Sequence, residues 1–80
     1  MPRFLIHHSH EPGDCGVVFA SFRGHDSTLR HGTALATCAF GGHAIWWTVD
    51  APDETHALGL LPYFVSKRAT AIRVSEVRIP

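Results

Sequence analysis

The sequence predicts an α+β fold of ferredoxin-like order, β-α-β-β-α-β, on three observations. A Gly41-Gly42 pair parts two strand-like runs, Ala36–Phe40 and His43–Val49, the second rich in β-branched and aromatic residues. Apolar residues recur at helical spacing in two stretches, Cys15 to Phe22 and Ala57 to Val65. Alternating runs stand near both ends of the chain, Arg3 to His10 and Thr70 to Ile79. Right-handed crossovers set the first and third strands side by side, so the expected architecture is a four-stranded antiparallel sheet of order 4-1-3-2 with two helices on one face. The expectation is a single domain over residues 1–80, with no repeat, linker or low-complexity segment.

In the first strand, Phe4, Ile6, His8 and His10 share one face, and Leu5, His7 and Ser9 the other. Glu11-Pro12-Gly13-Asp14 breaks it and opens a helix, with acidic groups near the positive end. Cys15, Val18, Phe19 and Phe22 form its apolar stripe, and Gly24 suits the C-terminal cap. His25 to Gly32 has little periodicity and reads as a loop. With Gly41-Gly42 as a two-residue turn, Phe40 pairs with His43, Cys38 with Ile45 and Ala36 with Trp47. One face of the hairpin then carries Ala36, Cys38, Phe40, His43, Ile45, Trp47 and Val49. Ala51 to Thr55 starts the second helix, and Pro62 must kink it or divide it in two. In the last strand Ile72 and Val74 lie on one side, with Arg73, Ser75 and Val77 on the other.

Eighty residues bury only about 60–65% of the surface exposed on unfolding, so the core is marginal and a metal, a disulfide or a second copy would add stability. Seven acidic and seven basic side chains balance, which argues against a nucleic-acid or anionic-membrane partner. No apolar run reaches the roughly 18–20 residues needed to span a bilayer, and the apolar stretch Phe4-Leu5-Ile6 is too short for a signal peptide. A cytosolic setting is the expectation, with Cys15 and Cys38 as free thiols packed in the core. Seven histidines in so short a chain are the unusual figure.

Trp47-Thr48-Val49-Asp50-Ala51-Pro52-Asp53-Glu54 and Ile72-Arg73-Val74-Ser75-Glu76-Val77-Arg78 resemble a family of small bacterial proteins of unknown function, some associated with nickel, in the ferredoxin-like dimeric α/β-barrel group. The resemblance covers roughly the C-terminal half and implies a homodimer whose sheets face each other. It carries over no metal ligand, so the metal argument rests on the residues of this chain.

The expected topology gathers the end of the first strand, the start of the first helix and the hairpin tip at one edge, with His8, His10, Glu11, Cys15 and His43. Asp50, His56, His25 and His31 fall at the opposite edge. His8 and His10 stand on one face, about 6.5–7 Å apart at the backbone, and two imidazoles so placed can converge on one divalent ion, nickel or zinc. Cys15 or His43 would complete the site. The competing reading makes the histidines packing, hydrogen-bonded or solvated residues.

Two further classes stand beside a metal-binding dimer. In a cofactor-free isomerase, cyclase or monooxygenase, His7 or His8 would be the general base, with Trp46 and Arg73 orienting a small ligand in a pocket beside the sheet. A structural or regulatory interaction module would need no ligand. As a homodimer the chain would pair through a face bearing Leu5, Trp46 and Val77. Arg30-His31-Gly32 matches the triplet of histidine phosphatases, but the chain is far too short for that fold. Gly41-Gly42 is a turn and not a phosphate loop, since no strand-to-helix junction or lysine follows.

Overall fold

Alternation along the first strand becomes alternation of burial. In the computed structural model, which describes residues 1–80, strand β1 (Arg3–Ser9) buries Phe4, Ile6 and His8 and exposes the residues between them. Strand β3 (Ala44–Asp50) likewise buries Ile45, Trp47 and Val49, with Trp46 between them half-buried and Thr48 exposed. β1 lies at the centre, antiparallel to β3 (Arg3 opposite Asp50, Ser9 opposite Ala44) and to β4 (Ala69–Val74; Arg3 opposite Val74, His8 opposite Ala69). β2 (Leu35–Ala36) pairs with β3 at the far edge. The protein is therefore α+β, with an open four-stranded antiparallel sheet of order β2-β3-β1-β4 and a few short helices. Read from the β4 edge, the order is 4-1-3-2.

The core lies on one face of the sheet. Phe4, Ile6, Ile45, Trp47, Val49 and Ala71 meet Val18 of helix α1 (Cys15–Ala20), Ala57 of α2 (Glu54–Gly59), Val65 of α3 (Tyr63–Ser66) and the intervening Ala51 and Leu61. Pro62 divides the second helical stretch: α2 ends before it, and its carbonyl accepts from the amides of Val65 and Ser66 to start α3. Asp53 caps α2 by accepting from the His56 amide at 2.8 Å. The His56 amide and ring hold its carboxyl below the usual carboxylate range. No helix is long and apolar enough to cross a membrane.

Three expected elements differ from the structure. The first helix ends at Ala20 and continues as turns to Gly24, whose φ of +75° closes the segment. β4 stops at Val74, not Ile79, because its partner β1 begins at Arg3 and the preceding Pro2 has no amide to offer. Val77 accordingly lies outside the sheet; Ile72, opposite Leu5, shares the open face with Leu5 and Trp46 instead.

The largest correction concerns the hairpin. Ala36 pairs with Ile45, not Trp47, and the strand ends there. Thr37 closes the loop from both sides: its amide donates to the Ala44 carbonyl at 3.0 Å, and its hydroxyl accepts from the Ala44 amide at 3.2 Å. Between them Cys38–Phe40 forms a 3₁₀ turn and Gly41 takes φ +85°. A Cβ on Gly42 would collide with the Thr37 side chain, so the glycine pair serves a longer loop than a two-residue turn. Cys38 thereby leaves the strand face, and Phe40 stands 90% exposed.

Candidate metal centre

The loop between Thr37 and Ala44 lies against the end of β1. The amide of His10 donates to the carbonyl of His43 at 2.9 Å, tying the two segments together. From His10 the chain turns through a 3₁₀ segment, Pro12–Asp14, into α1, which begins at Cys15. Each segment thus contributes two side chains across a short 3₁₀ turn, His10 with Cys15 and Cys38 with His43.

Those four side chains converge. One ligating atom from each of His10, Cys15, Cys38 and His43 lies within 4.8 Å of the others. His10 Nε2 is 3.2 Å from Cys15 Sγ and 4.0 Å from Cys38 Sγ, and His43 Nδ1 is 3.3 Å from Cys15 Sγ. Around a tetrahedral zinc ion, bonds of about 2.0–2.3 Å place neighbouring ligand atoms about 3.3–3.8 Å apart. The separations here need only small side-chain adjustments to meet that geometry. His10 is buried, while Cys15, Cys38 and His43 are half-buried, so the cluster sits at the surface end of the sheet with a path to solvent.

His8 is not in this set, contrary to expectation, because both of its ring nitrogens are committed. Nδ1 lies 3.0 Å from the Val65 carbonyl, which can only accept, so Nδ1 carries the proton. Burial holds the ring below the usual histidine range, against the carbonyl's opposing pull, and so favours the neutral form. Neutral His8 then accepts at Nε2 from His10 Nδ1–H, 3.0 Å away. That leaves the lone pair of His10 on Nε2, the atom facing the thiols. The chain from Val65 through His8 to His10 fixes the tautomer that metal ligation requires.

Burial also pushes the Cys15 thiol up, with neighbouring Cys38 adding to the shift. In the metal-free protein this thiol holds its proton, and a bound cation must displace it.

The other expected site residues lie apart from the cluster. His7 stacks on Trp46 (5.1 Å between ring centres) on the open face of the sheet. Arg73 stands opposite Phe4 and therefore points to the other side of the sheet, so His7, Trp46 and Arg73 do not form one pocket. With both nitrogens engaged and no exposed surface, His8 cannot serve as a general base. Asp50 pairs with Arg3 at the end of the sheet opposite the cluster, and His56 bonds Asp53.

Cys38 is the member of the cluster that apolar patterning conceals, since it alternates correctly with Ala36 and Phe40. A signal for it does exist in the spacing: His-x₄-Cys at 10–15 is mirrored by Cys-x₄-His at 38–43. No family model, curated protein or solved structure matches this chain.

Proposed function

We propose that this protein binds one transition-metal ion through His10, Cys15, Cys38 and His43. The observation that carries the reading is the convergence of two thiols and two imidazoles within 4.8 Å. Thiolate and imidazole donors in a 2:2 ratio suit zinc, while nickel(II) more often takes square-planar or tetragonal sites. Four protein ligands fill a tetrahedron and leave no position for an activated water, so the reading is a structural, storage or sensing site and not a hydrolytic one. An ion joining the two loops would also supplement a core of few buried residues. Elemental analysis of protein purified without an affinity tag tests this directly. One zinc or nickel per chain is expected, with loss of the ion in the Cys15→Ser/Cys38→Ser double variant. A chain that takes up neither ion, or a double variant that holds it as well as wild type, overturns the reading.

A second copy of the chain is the partner we infer for the open sheet face, where Leu5, Leu35, Trp46 and Ile72 stand clear of the helices. This pairing is what the resemblance to the nickel-associated dimeric α/β-barrel proteins implies. The strand order and the placement of the helices support a ferredoxin-like reading of the fold.

A further inference from the structure

A cavity of about 240 Å³ opens between α1, β3 and the loop that leads into β2. Phe19 of α1, Phe22 of the turns that follow it, Leu29 of the loop, and Ile45 and Trp47 of β3 form its apolar wall. Arg30 and His31 stand at its border, so the Arg-His-Gly triplet is gathered at a concave site. The loop that holds them is braced by its own hydrogen bonds: Leu29 amide to Ser27 Oγ, Arg30 amide to the Ser27 carbonyl, and Gly32 amide to the Leu29 carbonyl.

Two further features belong to the loop that borders the cavity. His31 holds φ +66°, a left-handed conformation uncommon outside glycine. Arg30 makes no ion pair; the chain's two pairs are Arg3–Asp50 and His56–Asp53. A cavity with an apolar wall and an arginine and a histidine among its lining residues is complementary to a ligand that is apolar at one end and anionic at the other. The volume falls below the roughly 300–1,000 Å³ of drug-sized pockets, which sets the ligand at one ring or a short aliphatic chain.

We propose that this cavity binds a small organic carboxylate, its apolar body against Phe19, Phe22 and Trp47 and its carboxylate on Arg30 and His31. The planar fork of Arg30 matches two carboxylate oxygens, and the His31 imidazole supplies a further donor. The site is separate from the metal centre and does not depend on the metal reading.

The test titrates the full chain, as purified, with phenylacetate and hexanoate and with their neutral counterparts phenylacetamide and hexanamide. Amide chemical shifts locate binding and Trp47 fluorescence follows it. At least one carboxylate is expected to shift the Gly32, Thr33 and Ala34 amides and to bind about tenfold more tightly than its amide, the worth of one charge-assisted contact. Arg30→Gln should abolish that preference while leaving the melting temperature and metal content unchanged. Trp47→Phe should remove the fluorescence change but keep the amide shifts. Absence of saturable binding by either carboxylate overturns the proposal. So does equal affinity for acid and amide, an Arg30→Gln variant that retains the preference, or shifts that map elsewhere.

Discussion

His8 and His10 lie two residues apart on the core side of the sheet, and His8 Nε2 sits 3.0 Å from His10 Nδ1. One buried imidazole thus orients another, whose remaining nitrogen faces the two thiols. Replacing His8 with Gln should weaken metal affinity about 10–100-fold without removing a ligand. His10→Ala, which deletes a ligand, should weaken it further. Competition against a chromophoric chelator separates these outcomes, and a His8→Gln affinity equal to wild type would refute the orienting role.

Stability of the metal-free protein should fall toward both ends of the pH scale. His8 is held neutral in the folded state, whereas the unfolded chain takes up that proton near pH 6.5. Below that pH the unfolded state binds the extra proton, so folding weakens as pH falls. The Cys15 thiol acts with the opposite sign: the folded state keeps a proton that the unfolded chain releases in the ordinary thiol range. Folding therefore weakens as pH rises through that range. Metal uptake, which needs thiolates and neutral imidazoles, should weaken steadily on acidification. Urea midpoints across pH, with chelator and with zinc, measure all three trends.

Gly42→Ala should disturb the fold and the metal centre together. The added methyl meets Thr37, whose backbone and hydroxyl close the loop carrying Cys38 and His43. A loss of about 1–3 kcal/mol is expected, the usual range for forcing a methyl into a filled space. Zinc affinity should fall with it. Thermal melts with and without zinc would show both effects, and a wild-type melting temperature would refute the close approach.

Trp46→Glu tests the proposed pairing through the open face. The variant should sediment as a monomer at concentrations where the wild type is a dimer. Its far-UV circular dichroism should persist, because Trp46 points away from the Ile45, Trp47 and Val49 core. A monomeric wild type at high micromolar concentration would exclude the dimer.

Much of the fold was legible where periodicity and burial coincide. Phe4, Ile6, His8 and His10 alternate to the buried side as expected, and Pro62 divides the second helical stretch. The hairpin was less legible because Gly41-Gly42 serves both a two-residue turn and the end of a 3₁₀ segment. The choice is decided by Thr37, whose bonds to Ala44 close the loop five residues before Gly42. That single local preference also decided Cys38, which reads as core in a strand and as a ligand candidate in the loop. Three of the four residues expected to meet at a metal site, His10, Cys15 and His43, do lie in one cluster, because topology alone brings their segments to one edge. His8 lies outside the cluster, and no pattern in the sequence announces that the Val65 carbonyl occupies one of its nitrogens.

The pairing of the candidate ligands within short turns bears on the denatured chain as well. His10 with Cys15, and Cys38 with His43, are each separated by only four residues, while twenty-two lie between the two cysteines. A disordered chain therefore keeps two local chelating bites even when the sheet is gone. If the chain binds metal as proposed, those bites would stabilise the unfolded ensemble too, and the gain in melting temperature should fall short of what native-state affinity alone implies. The same bites would let an ion join one half of the site early in refolding and capture the other as β1 and β3 align.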